Sequence, residues 1–183
     1  SKLLSALLPP FIRVPMRWIW IDKFVEFESG RRAVSVRNVS LAEEHLHDHF
    51  PGYPFMPECL MIEAMAQTAG ILVGEARSFQ EKVVLAKISK AVFFDYVVPG
   101  DSLRLEARME TIAPEAASTT GRITRSDQLI AEIDLMFSHI DQNLAGKKFP
   151  KDNFVFTGIF TNLLQEVALN HTRPAPQPME SSA

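Results

Sequence analysis

The stretch that most constrains this chain runs from Cys59 to Val73, where the only strongly polar side chains are Glu63, Gln67 and Thr68. A helix that is apolar almost all round must be covered by protein on most of its surface, so the rest of the chain is expected to wrap it. The segment before it, His49-Phe-Pro-Gly-Tyr-Pro-Phe-Met56, is rich in turn formers. Pro57 suits the first position of the helix, and Glu58 beside it faces the positive end of the helix dipole. Glu63 and Gln67 are four residues apart and share a face, so their heads point into one small volume inside a hydrophobic element. If the loop folds His49 back toward that face, a base, an acid and an amide line one apolar slot, which is a site for proton transfer.

The chain on either side reads mainly as strand. Trp18 to Phe27 mixes aromatic and β-branched residues, and Ser29-Gly30 ends it. A second strand follows from Arg31 to Val39, with Val34 and Val36 on one face. Ala42 to Asp48 holds a short helical turn, and the central helix is expected to run to about Phe79. Beyond it, Val83 to Phe94 reads as a strand and Val98-Pro-Gly-Asp101 as a turn. Leu103, Leu105, Ala107 and Met109 then alternate with Arg104, Glu106, Arg108 and Glu110, the pattern of a half-buried strand. Residues 116–125 and 129–140 form a further pair about Ser126-Asp127-Gln128, with Leu129, Ala131, Ile133, Leu135 and Phe137 on one side. The expected fold class is α+β, a curved antiparallel sheet covering one long helix. The chain divides into an N-terminal arm (1–17), a main domain (18–141), an extension with a helical pattern (142–170) and a polar, proline-containing tail (171–183) expected to be disordered.

Length and composition set the outer bounds. A chain of 183 residues fits one domain with a sizeable core. A net charge of −3 leaves no electrostatic footprint for nucleic acid. Glu63 interrupts the best apolar run, so no membrane span is expected. The single cysteine, Cys59, excludes an internal disulfide framework and suits the cytoplasm. Cys59 reads as a small buried residue rather than a nucleophile, since no histidine base is placed beside it by sequence. His45, His47 and His49 lie close to Asp48, but their spacing does not match a metal-ligand pattern, and no metal is expected. Gln67 and Thr68 also fit a plainer role, satisfying nearby backbone groups.

His49-Phe-Pro-Gly52, Met56-Pro57 and Glu63-Ala-Met-Ala-Gln67, with a separation of 63 − 49 = 14, together resemble the FabZ-type β-hydroxyacyl-acyl-carrier-protein dehydratases. Ile21-Asp22, the segment 36–40 and Val98-Pro-Gly-Asp101 extend the likeness over residues 18–140. The resemblance implies a hot-dog fold. It also implies a homodimer, or a trimer of such dimers, with His49 from one subunit meeting Glu63 of the other. The implied substrate is a (3R)-3-hydroxyacyl chain linked as a thioester to the phosphopantetheine arm of an acyl carrier protein, handled with no metal or redox cofactor. Removing a proton beside a thioester carbonyl needs a positioned base and a place for enolate charge. In this scheme His49 is the base, Glu63 the acid that lets the hydroxyl leave as water, and Gln67 its orienting partner. Helix N–H groups near Glu58 face the thioester oxygen. Phe50, Tyr53, Met56, Glu58 and Cys59 complete the expected substrate-binding set.

The chain departs from the family pattern at Glu58, where glycine is usual. The backbone N–H survives, but an inward-pointing carboxylate would oppose enolate charge. Tyr53 stands where a basic residue is common, and the segment after Asp141 is extra. Two other readings share the fold: a thioesterase in which Glu63 activates water, and a non-catalytic subunit that binds an acyl chain or its carrier.

Overall fold

The computed structural model describes residues 18–143, Val155 and residues 162–165. The chain folds in the order β1 (Lys23–Glu28), β2 (Arg32–Asn38), α1 (His45–Asp48), α2 (Glu58–Glu75), β3 (Val83–Phe93), β4 (Ser102–Ile112), β5 (Ala116–Arg125), β6 (Gln128–His139) and α3 (Ile140–Asn143). The six strands form one antiparallel sheet in the order β1-β2-β4-β5-β6-β3. Helix α2 lies against this sheet, in contact with β2, β3, β4, β5 and β6.

The apolar composition of α2 explains that placement. Leu60, Met61, Ala64, Met65, Ala69, Ile71, Leu72 and Val73 are all buried, in one core with the inward residues of the strands. In β4 the alternation works as expected: Leu103, Leu105 and Ala107 are fully buried, and Met109 packs at the margin of the core. In β6 Ala131, Ile133, Leu135 and Phe137 are buried the same way. At Gly121 of β5 the helix comes so close that a Cβ would sit 2.6 Å from Met65 Sδ and 2.7 Å from the Ile133 carbonyl oxygen. One polar pair crosses the layer: the hydroxyls of Ser35 on β2 and Thr68 on α2 are 2.7 Å apart, and Thr68 also donates to the Ala64 carbonyl. The outer face of β1, β2 and β4 carries charge instead. Arg32 bridges Glu26 and Glu106, Arg104 pairs with Glu26, and Arg108 pairs with Glu106.

Several boundaries differ from the sequence reading, each for a local reason. The first strand starts at Lys23 rather than Trp18, because the Trp20 N–H donates to the Gln67 side chain and the Trp18 carbonyl accepts from it, instead of joining a strand ladder. Helix α2 stops at Glu75, not near Phe79. Ser78 and Phe79 have positive φ, and the Phe79 N–H closes back on the Gly74 carbonyl. In β2 the helix-facing residue is Ser35, which touches Thr68, while Val34 is fully buried and Val36 only half-buried. The expected N-terminal arm and disordered tail lie outside the described residues, as does most of the extension; residues 162–165 are helical, and Leu163 and Leu164 pack against the core.

Candidate active site

Two Pro-Gly turns of the same design shape the ends of the domain. In Phe50-Pro-Gly-Tyr53 the Phe50 and Tyr53 backbones exchange hydrogen bonds of 3.1 and 2.8 Å, with Gly52 at φ 77°. In Val98-Pro-Gly-Asp101 the Asp101 N–H donates to the Val98 carbonyl at 3.1 Å, with Gly100 at φ 99°. Proline presets the first central residue of such a turn, and glycine reaches the positive φ required at the second. The loop then rejoins the fold where the Met56 N–H donates to the Val97 carbonyl at 2.7 Å.

His49 stands just before the first turn. Its ring stacks on Phe50 at 4.4 Å and meets Phe55 edge-on at 4.7 Å. Its Nδ1 lies 3.3 Å from the Phe55 carbonyl oxygen. A carbonyl only accepts, so that contact has Nδ1 as the donor, and in the neutral ring the lone pair is then on Nε2. The neighbouring histidines go elsewhere. His45 packs against Trp20 at 5.3 Å, and burial pushes its imidazole pKa down. His47 is exposed.

On α2, Gln67 makes three hydrogen bonds. Its Oε1 accepts from the Trp20 N–H at 2.8 Å, and its Nε2 donates to the Trp18 carbonyl and to Glu63 Oε1, both at 2.9 Å. The amide therefore satisfies backbone and orients the carboxyl at once. Because both amide ends are engaged, Gln67 cannot turn, and the Glu63 head is held by a fixed donor. Glu63 and Gln67 line a cavity of about 370 Å³ whose other walls are mostly apolar, with Gly70 and Ile71 of α2, Leu85 of β3 and Phe137 of β6 among them. That volume lies within the range of small-molecule sites.

Within one chain the cavity wall does not include His49, so the loop does not fold it into the same slot as Glu63. The aromatic contacts with Phe50 and Phe55 direct it elsewhere. Phe50 and Tyr53 are exposed, at 53% and 72%. Met56 is a fully buried core residue. Glu58 is half-exposed in the first turn of α2, where no side chain caps the helix and the Leu60 N–H donates to the Pro57 carbonyl at 3.0 Å. Cys59 is exposed, not buried, because it too sits in that first turn, ahead of the part of α2 covered by the sheet. Trp18, Leu85 and Val155 line the cavity but were not marked by the sequence reading. The β-branched run around Leu85 identifies a strand without saying what that strand encloses, and nothing local to Trp18 or Val155 marks a cavity wall.

This architecture is the hot-dog fold, a sheet wrapped about one central helix. The dehydratase heterocomplex from Xenorhabdus doucetiae superposes with a TM-score of 0.58 at 15% identity, covering 70% of this chain and 90% of that one. A conserved protein of Pseudomonas aeruginosa superposes with a TM-score of 0.53 at 19% identity, covering 63% and 86%. At the level of sequence, the FabA-like domain matches residues 15–134. The 3-hydroxyacyl-[acyl-carrier-protein] dehydratase FabZ of Pelotomaculum thermopropionicum is 38% identical over 128 residues, which are 68% of this chain and 91% of that protein. The FabZ of Chloroflexus aggregans is 39% identical over 131 residues, 70% and 91% respectively. The chain belongs to the FabA-like family and, within it, to the FabZ-type dehydratases.

Proposed function

We propose that this protein removes water from (3R)-3-hydroxyacyl chains carried as thioesters on an acyl carrier protein, giving trans-2-enoyl thioesters for fatty-acid or related acyl-chain synthesis. The observation that carries the reading is the Glu63 carboxyl held by the fixed Gln67 amide in an otherwise apolar cavity. Such a cavity takes an aliphatic chain and sets one acid beside it.

In the reaction, Nε2 of His49 takes a proton from the carbon next to the thioester carbonyl. The resulting enolate charge falls on the thioester oxygen, against N–H groups at the start of α2, where the helix dipole also favours negative charge. As the electrons return to form the double bond, the hydroxyl leaves with a proton from Glu63 as water. No metal or redox group takes part in these steps.

The two reacting side chains come from different subunits of a homodimer. The sheet supports this arrangement: β3 is an edge strand, and it presents Leu85, Ile88 and Val92 at 38%, 44% and 38% exposure. An exposed apolar edge with unpaired backbone groups is a template for a second strand. Pairing there would bury the apolar edge and bring the exposed His49 loop of one chain toward the α2 face of the other. A cytoplasmic location belongs to the same proposal, given the unpaired Cys59 and a carrier-linked substrate.

The test is incubation with 3-hydroxyacyl carrier thioesters, read by ultraviolet absorbance of the enoyl thioester and by mass spectrometry. Loss of water supports dehydration. Release of free carrier thiol instead would make the protein a thioesterase, and no change in either would make it a binding subunit. Replacing Glu58 with glycine, in the same assay, asks whether that carboxylate opposes the enolate. A rise in rate means that it points inward.

A further inference from the structure

The cavity beside Glu63 has two walls beyond the reach of the family match. The FabA-like match ends at residue 134, yet Phe137 near the end of β6 and Val155 of the C-terminal extension line the cavity together with Glu63, Gln67 and Leu85. Further along, residues 162–165 are helical, and Leu163 and Leu164 pack against the hydrophobic core. The other walls come from the helix and strands of the main domain: α2 supplies Gly70 and Ile71, β3 supplies Leu85 and β6 supplies Phe137. These residues are committed elsewhere. Leu85 and Phe137 are register partners in the β3–β6 ladder, and a Cβ on Gly70 would already meet the Phe137 ring at 3.4 Å. Val155 lies outside the sheet and outside α2.

The cavity follows α2 from Glu63 to Ile71, a rise of about 12 Å along the helix. An aliphatic chain whose reactive end sits at Glu63 would extend along these walls. We propose that Val155, supplied by the C-terminal extension, is a specificity-determining residue that limits the length of acyl chain the cavity accepts. This rests on the reading of Glu63 as the reacting end of an acyl site. A side chain in contact with an aliphatic substrate discriminates by the methylenes it admits or excludes, each worth roughly 10- to 200-fold in kcat/KM.

The experiment compares the full-length protein with Val155→Ala and Val155→Phe. Each is assayed on 3-hydroxyacyl carrier thioesters ranging from about four to about twelve carbons, in order to measure how a pocket methylene discriminates between them. The expected result is a shift of the long-to-short ratio of kcat/KM by about tenfold or more, upward for Val155→Ala and downward for Val155→Phe. Opposite shifts separate a gauge of chain length from general damage. An unchanged ratio in both variants overturns the proposal, and so does a loss in both that is equal at every length. A second measurement does not depend on turnover. Trp18 lines the same cavity, so binding of acyl-pantetheine probes of graded length, followed by tryptophan fluorescence, should show the same opposed shifts in affinity. If the parent protein forms no enoyl thioester yet the binding profile shifts with residue 155, the dehydratase reading fails and the gauge stands. If the parent dehydrates and neither profile moves, the gauge fails alone.

Discussion

The two motifs that define the proposed chemistry are held in different ways. The helical one, Glu63 to Gln67, is rigid by construction: helix periodicity aligns the two heads, and the Gln67 amide is locked by the Trp18 and Trp20 backbone. The loop motif, His49 to Tyr53, is shaped by a Pro-Gly turn and by aromatic stacking, and it leaves Phe50 and Tyr53 in solvent. One half is a walled cavity with an acid in it, and the other is a half-buried imidazole packed against Phe50 and Phe55 outside that cavity. The difference teaches that fourteen residues of sequence do not imply a shared slot in space. A single chain presents two complementary halves, and the proposed homodimer is what would join them.

The largest effect should come from the walled half. Glu63→Gln keeps the shape and the hydrogen-bonding capacity but removes the acid, and should lower enoyl thioester formation by about 10²- to 10⁴-fold. Retention of most of the rate would show that the acid lies elsewhere. His49→Ala should cost roughly 10²-fold or more by loss of the base. Mixing those two inactive proteins after subunit exchange then probes the comparison itself. Random pairing yields half mixed dimers with one intact site of two, so about a quarter of the activity should return. No recovery on mixing would mean that both groups act from one chain.

Smaller effects separate support from chemistry. Gln67→Ala leaves the Trp20 N–H and the Trp18 carbonyl without their partner and frees the Glu63 head, a loss of about 1–3 kcal/mol visible in thermal unfolding. Turnover should fall with it, whereas a purely structural amide would lower stability and leave turnover per folded molecule intact. Gly121→Ala forces a Cβ against Met65 and the Ile133 backbone and should destabilise by about 1–3 kcal/mol through overpacking under α2. The His49 loop does not touch that contact, so a change confined to the helical half would sharpen the contrast.

The smallest effect is common to both halves. Hydrogen bonds from Arg32 hold Glu106 below the usual carboxylate range, Arg32 and Arg104 do the same for Glu26, and the Lys82 N–H and ammonium do so for Asp141. A carboxylate with a lowered folded pKa stabilises the fold above its unfolded value, about 4, and that contribution is lost as pH falls through the folded value. The unfolding temperature should therefore hold near neutrality and drop below about pH 4. A flat profile there would remove these ion pairs from the stability of the sheet.

Much of the fold was legible in the chain. A helix of continuous apolar character needs a wrapping sheet, and strict alternation in β4 and β6 marks the strands that supply it. Glu63 and Gln67 were legible for the same reason, since helical spacing alone puts them on one face. Met56, Cys59 and Trp18 were not. Whether a residue beside a motif becomes core, surface or cavity wall depends on what packs against it from far along the chain. The Val97 carbonyl fixes the backbone at Met56, and the Gln67 amide draws Trp18 out of a strand ladder.

By itself, then, the order of residues determined local periodicity, turn chemistry and the pairing of an acid with its amide, because each depends on neighbours within a few positions. Tertiary structure decided which walls enclose that acid, that Val155 is among them, and that His49 of the same chain is not. Those outcomes depend on contacts between segments tens of residues apart, where strand register and helix packing, rather than spacing in the chain, set the distances.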